Sequence, residues 1–348
     1  MSGTLLRLAC TAAMAAQVAL APLPALAAPA PQRPVAELLT DLQRLYRQTE
    51  QATETYNATA EKLTAQRAEV NRLDGELADA RLALRGSRTD AGRLAREQYQ
   101  NSSNFSVYLR LLLARDPQQA LDEGHVIGRV AGERAATLDR LTGAEKRADV
   151  LARSAREALD TQLTLAERQK KQRDDVTSRL FGVERLLASL TPEQRGGVSR
   201  LEQDEAAEAQ RRLTESGTLG DDDRPASAEG GRAVRYALDQ LGKPYRWGAV
   251  GPASFDCSGL TSRAWARAGT PIPRTSQEQW ARLPHVPLNS LRPGDLVVYF
   301  PEATHVALYL GDGKVVQAPR TGENVKISPL AANPVLGAVR PDAAPSRL

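Results

Sequence analysis

The stretch SFDCSGL, Ser254–Leu260, decides how the C-terminal third of this chain is read. Asp256 is of the type that caps helices, and Leu260, Ala264 and Ala268 follow it on one helical face. The spacing therefore predicts a helix from about Cys257 to Arg267, with Cys257 on its first turn. There the unsatisfied N–H groups and the positive end of the helix dipole favour thiolate over thiol. Cys257 is one of two cysteines in 348 residues, and Cys10 lies near the N-terminus. A lone thiol at a helix start is placed for attack rather than for a staple.

A thiolate nucleophile needs a base, and the base needs an orienting group. Two histidines lie in the same region. His285 falls in the proline-flanked loop LPHVPL and reads as a surface residue. His305 opens HVALYLG, a strand pattern that fixes its position. The GDG turn, Gly311–Gly313, then leads into KVVQA. A two-residue turn would pair 308 with 317 and put Gln317 on the face opposite His305. An odd-length turn, or a bulge, pairs 307 with 317 and brings Gln317 diagonally beside His305. The odd-length turn is the expectation, with Gln317 accepting the imidazole N–H.

Around this site the sequence has the texture of a globular α+β domain over 232–341. A helix RAVRYALDQLG comes first, then a loop, the Cys257 helix and a short helix in IPRTSQEQWARL. Short strands follow at 295–300, 305–311, 314–318, 324–328 and 336–340, read as an antiparallel meander. All three tryptophans, Trp247, Trp265 and Trp280, fall here and read as packing residues.

Upstream the texture differs. Val35, Leu42, Thr49, Tyr56, Leu63, Val70, Leu77 and Leu84 recur every seventh residue, with Leu38, Leu45, Ala52 and Leu73 on a second seam. That period means a long helix seeking a coiled-coil partner. The pattern changes over Tyr99–Val130, where Leu109, Leu111, Leu112 and Leu113 cluster before Asp116-Pro117. This reads as a small helical knot at which the chain reverses, with His125 structural. A second helix follows from about 118 to 190, with Leu159, Ala166, Leu180 and Leu187 on one stride and Val176, Val183 and Leu190 beside it. TPEQ from Thr191 reads as a capping box opening a third helix to about 215. Residues 35–215 are thus a coiled-coil domain, either an antiparallel hairpin within one chain or a parallel dimer; the hairpin is the architecture expected. Residues 216–231 have a linker composition, and 342–348 form a tail.

Residues 1–27 read as an export signal: Arg7, an apolar run from Leu8 to Leu20, and Ala25-Leu26-Ala27 as a cleavage site. A membrane span needs roughly 20 apolar residues, and Pro22 and Pro24 cut this run short, although a retained anchor stays open. Residues 28–34 are a Pro/Ala-rich start. The expected location is secreted, extracytoplasmic and cell-wall associated. A net charge of +4 with both signs interspersed gives no nucleic-acid footprint. No metal-ligand set and no cofactor are read.

Five blocks carry a resemblance: GKPYRWGAVGPASFDCSGL, PRTSQEQW, LRPGDLVVYF, THVALYLGDGKVVQAP and VLGAVRP. In this order they resemble the NlpC/P60 cysteine peptidases of bacterial cell walls. The resemblance covers about residues 230–341 and implies a papain-like α+β catalytic domain. It implies Cys257 as nucleophile, His305 as base and Gln317 as its orienter, acting on peptidoglycan stem peptides, usually at the γ-D-glutamyl to diamino acid bond. It also implies that Tyr245 helps bind substrate and oxyanion, and that Asp256, Ser258 and Arg274 line the groove. Two positions depart from the family pattern: Gln317 stands where histidine is usual, and Ala249 replaces the second glycine after the tryptophan.

The helical part is similar to actinobacterial septal hydrolases and to coiled-coil wall hydrolases controlled by the FtsE–FtsX complex. That likeness implies a membrane-protein partner and an inhibitory role for the helices, which the linker is long enough to allow. The alternative reading is a coiled-coil scaffold of the division or envelope machinery with secondary catalysis. A third is acyl-transfer or amidase chemistry by the same thiol.

Overall fold

The computed structural model describes residues 33–101, 117–220 and 224–343. The expected signal, most of the Pro/Ala start, the leucines and Asp116 of the expected knot, and most of the tail lie outside the described residues. Helix α1 (Val35–Asn101) and helix α2 (Pro117–Ser189) run antiparallel. Gln66 Nε2 donates to the Ala158 carbonyl at 2.9 Å, and Arg88 pairs with Glu145 at 3.2 Å. The hairpin, rather than the parallel dimer, is therefore what the single chain forms.

The α1 seam is buried as its heptad requires, at Leu38, Leu42, Leu63, Val70, Leu73 and Leu77. On α2 the buried stride is Ala148, Ala155, Val176 and Val183, continued by Leu190 just past its end, whereas Leu159 is 43% exposed. Of the expected stride Leu187 packs into the cluster around Leu38 and Leu42, whereas beside Leu159 it is the small Ala155 and Ala158 that meet Val70, Leu73 and Leu77 and let the helices approach closely. Helix α3 (Pro192–Glu215) opens on the expected capping box, Thr191 and Gln194 exchanging hydrogen bonds of 3.0 and 3.2 Å.

The C-terminal domain contains helices α4 (Ala228–Leu238), α5 (Cys257–Ala268) and α6 (Ser276–Arg282). Its six strands are β1 (His285–Val286), β2 (Leu296–Tyr299), β3 (His305–Gly311), β4 (Lys314–Gln317), β5 (Lys326–Pro329) and β6 (Val335–Val339). They form one sheet in the order β1-β6-β2-β3-β4-β5, with every pair antiparallel. The expected meander holds from β2 to β5. Strand β6 then crosses back to the free edge of β2, and β1, too short to show a period, pairs beyond it.

Both faces of the sheet are covered, which explains why LVVY is buried at every position. On one face Leu260, Ala264 and Trp265 of α5 pack on Val298, Val306, Leu308 and Val316. On the other, Leu213 of α3 and Leu219 pack against Val297, Tyr299, Tyr309 and Val315. Residues 216–220 therefore run along the domain. A Cβ on Gly220 would lie 2.2 Å from the Asn289 carbonyl oxygen, a contact that glycine alone permits.

The β3–β4 turn corrects the odd-length expectation. It is a two-residue turn, Asp312-Gly313, with φ of 52° and 62°, the conformation that suits the strands' twist. A bulge between Tyr309 and Gly311 supplies the extra residue, so that Leu308 pairs with Val316. The register follows from the bulge, not from the loop length. Gln317 accordingly comes to His305.

Candidate active site

Helix α5 begins on Cys257 because Asp256 caps it: Oδ1 accepts from Gly259 N at 2.6 Å. Gly259 has to be glycine, since a Cβ there would sit 2.2 Å from the Ala249 carbonyl oxygen. That close approach brings the Trp247-Gly248-Ala249 loop onto the helix start, where Gly248 N also donates to Asp256 Oδ2 at 2.9 Å. Arg274 completes the cap, reaching Asp256 at 2.6 and 3.1 Å and Ser258 Oγ at 2.8 Å. Asp256 is fully buried and Arg274 nearly so.

His305 is the first residue of β3 and pairs with Tyr299 across the ladder; Gln317 is the last residue of β4. His305 Nε2 lies 2.6 Å from Gln317 Oε1, so the imidazole donates there and its Nδ1 is left for other work. Tyr245, joined by a bridge to Phe255 and buried, stands in the same electrostatic neighbourhood. Burial, then Cys257 and Asp256, raise its phenol well above the usual range, so it stays a donor.

Helix α1 packs over these groups, at residues that sequence reasoning missed. Glu54 accepts from Ser258 Oγ at 2.7 Å and from Ser276 N at 2.8 Å, and its Oε1 lies 3.8 Å from Cys257 Sγ. Asn57 Nδ2 donates to Asp256 Oδ2 at 3.1 Å. Glu50 Oε1 is 3.3 Å from His305 Nδ1, poorly aligned for a hydrogen bond but close enough for an ion pair. Tyr56 packs edge-on against Trp247, ring centroids 5.1 Å apart. Glu54 is 1% exposed and Asn57 3%. One signal existed in the sequence: Thr49 and Thr59 put polar side chains where the apolar seams should continue, and both are buried.

This neighbourhood sets the charges. Burial, then the carboxylates of Glu54, Asp256 and Glu50, push the Cys257 thiol well above its ordinary range, against the single favourable Ser258 N–H. Burial and Asp256 raise Glu54 from 4.5 to about 7, Arg274, Ser258 and Ser276 notwithstanding. Burial pulls His305 down, but Glu50, Gln317 and Glu54 outweigh it and hold the imidazole above 6.5. With α1 packed here, Cys257 is covered, with the carboxylates of Glu54, Asp256 and Glu50 around it.

Residues 242–338 match the model of the NlpC/P60 family. This stretch is an NlpC/P60 domain. Over 116 residues it is 43% identical to a probable endopeptidase of Corynebacterium glutamicum, covering 33% of this chain and 56% of that one. It is 38% identical over 111 residues to the peptidoglycan endopeptidase RipA of Mycolicibacterium smegmatis, covering 28% of this chain and 22% of that protein. The chain thus spans about half the length, or less, of these curated relatives. Among solved structures, the NlpC/p60 domain of the peptidoglycan hydrolase SagA is 31% identical, with 32% of this chain and 97% of that one covered and a TM-score of 0.30. In this NlpC/P60 domain Asp256, Ser258 and Arg274 are hydrogen-bonded together beside Cys257, His305 is bonded to Gln317, and Glu54 and Glu50 of α1 reach the two groups from one helix. Two buried residues join them beyond the expected set: Gln279, which donates to the Ser258 and Pro273 carbonyls and accepts from Thr261, and Ser276.

Proposed function

We propose that the protein is an exported cysteine endopeptidase that cuts peptidoglycan stem peptides and is held inactive by its own α1. The observation that carries the reading is the His305–Gln317 bond of 2.6 Å together with a cysteine at a helix start, the two groups being reached by Glu50 and Glu54, one turn apart on α1. Cys257 attacks the amide carbonyl, and His305 Nδ1 takes the thiol proton. The tetrahedral oxyanion is steadied by N–H groups at the start of α5 and by the Tyr245 phenol. His305 returns the proton to the leaving amine, and water then cleaves the thioester with His305 as base. Gln317 orients the imidazole without adding charge. Asp256, Ser258 and Arg274 shape the groove that receives the stem.

The family resemblance supports the γ-D-glutamyl to diamino acid bond as the bond cut. The endopeptidase names of the relatives support a stem-peptide substrate. Inhibition by α1 is supported by Glu50, Glu54 and Asn57, whose carboxylates and amide occupy the polar groups a substrate would need. A membrane complex of the FtsE–FtsX type is the partner we would test for release. The test of the activity is digestion of purified sacculi by a chain starting at residue 192, with products identified by mass spectrometry. We expect stem-peptide fragments with wild-type Cys257 and none with Cys257→Ala. Intact sacculi with the folded wild-type protein would reject the assignment.

A further inference from the structure

The inhibitory grip has a second point of attachment, away from the groove. Arg320 lies in the loop between β4 and β5, and its guanidinium joins three parts of the molecule. Nη1 and Nη2 donate to the two carboxylate oxygens of Glu202 on α3 at 2.6 and 2.8 Å. Nε donates to Glu323 of the same loop at 2.6 Å. Its face lies 4.4 Å from the centre of the Tyr46 ring on α1. Tyr46 stands one helical turn before Glu50 and two before Glu54, so it fixes the segment that enters the groove.

The two helices differ in how they are held. Helix α3 is fastened to the sheet by Leu213 and by Gln210, which accepts from Ala331 N at 2.9 Å. Helix α1 reaches the catalytic domain through the contacts of Glu50 to Asn57, through Arg47, whose guanidinium lies 5.9 Å from the centre of the Phe300 ring, and through this junction. Its Leu38, Leu39, Leu42 and Tyr46 also pack on Val183 of α2, on Leu190 after it and on Val198 of α3. Arg320 and Glu202 retain 21% and 34% of their side-chain exposure, so solvent ions reach the pair. Neither residue borders the reacting groups.

We propose that the Glu202–Arg320–Tyr46 junction is the latch that keeps α1 in the groove, and that parting the ion pair releases the helix while the catalytic residues stay in place. Arg320 holds both neighbours at once: the carboxylate of Glu202 fixes the guanidinium plane, and that plane supports the Tyr46 ring. Without Glu202, the guanidinium turns to Glu323 alone and the ring loses its platform. A charged group competing for Arg320, whether a salt ion or an acidic segment of a partner, acts in the same way.

The latch rests on the reading that α1 inhibits, and one experiment separates the two. Full-length chains carrying Cys10→Ser, which leaves Cys257 as the sole thiol, are compared as wild type, Glu202→Ala and Glu54→Arg. Two rates are read: alkylation of Cys257 by iodoacetamide, and hydrolysis of a γ-D-glutamyl stem peptide. Glu54→Arg sets a cation against Arg274 and reports on the groove contact. Glu202→Ala should raise both rates roughly tenfold or more, the scale of a charge-assisted hydrogen-bonded pair. A merely misfolded chain would alkylate faster and hydrolyse no faster, and that result overturns the latch. Added salt should speed alkylation of the wild type and leave Glu202→Ala unchanged, a signature that lost packing would not produce. If Glu54→Arg accelerates both rates and Glu202→Ala neither, the latch is refuted and inhibition stands. If neither variant accelerates, the inhibition reading falls, and the latch with it.

Discussion

Replacing Glu54 by Gln removes a buried carboxyl whose titration is tied to docking. In the groove Glu54 is raised from 4.5 to about 7 by burial and by Asp256. A carboxyl whose docked pKa lies above its free value favours docking while protonated. That contribution is complete below about pH 4.5 and is lost as the pH climbs through 7. At about 1.4 kcal/mol per pKa unit, the full shift is worth about 3 kcal/mol. Between pH 5 and 8 the linkage weakens docking by roughly 70-fold. The charged neighbours are Asp256, Arg274, Cys257, His305, Tyr245 and Glu50, and of these Cys257 and His305 are also shifted upward in the docked state. The assay is alkylation of Cys257 in full-length wild type and Glu54→Gln, both with Cys10→Ser, across that range. Alkylation passes through the released form, whose thiol is the same in both proteins, so the ratio of the two rates isolates Glu54. The ratio of wild type to variant should climb with pH and level off above 7. A ratio flat from pH 5 to 8 would refute the proton linkage.

Three further outcomes are expected of the protein lacking the hairpin, residues 192–343. Gln317→Ala lowers kcat by roughly 10- to 100-fold with little change in KM, because His305 loses its orienting acceptor; steady-state kinetics on a stem peptide checks this. Asp256→Ala removes the α5 cap, worth about 1 kcal/mol; the denaturation midpoint should fall, and an unchanged midpoint would contradict the cap. Gly259→Ala drives a methyl to within 2.2 Å of the Ala249 carbonyl oxygen, so a loss of about 1–3 kcal/mol in urea unfolding is expected.

Much of this structure was legible because local chemistry and global fold agree. The Asp256 cap, the Thr191 capping box, the run HVALYLG and the α1 heptad each carry their conformation in a few neighbouring residues. What was not legible depended on distant parts of the chain. The bulge near Leu310 leaves no residue signature, yet it alone sets Gln317 beside His305. The return of β6 to β2 is a choice between two open edges that the alternation of VLGAV does not encode. Leu159 looked like a seam residue only because leucine was weighted above alanine. Glu50, Glu54 and Asn57 read as an ordinary solvated helix face, since their partners lie about two hundred residues downstream and polarity alone does not show burial. Thr49 and Thr59 were the available clue, polar side chains interrupting seams that should be apolar.

The most direct test of the account compares stem-peptide hydrolysis by the full-length chain and by residues 192–343, which keep α3 on the sheet but lose the plug. The account predicts a low rate for the full chain, a much higher one for the shorter protein, and no turnover by either with Cys257→Ala. Equal rates would contradict inhibition by α1, and a folded shorter protein without activity would contradict the assignment of Cys257, His305 and Gln317.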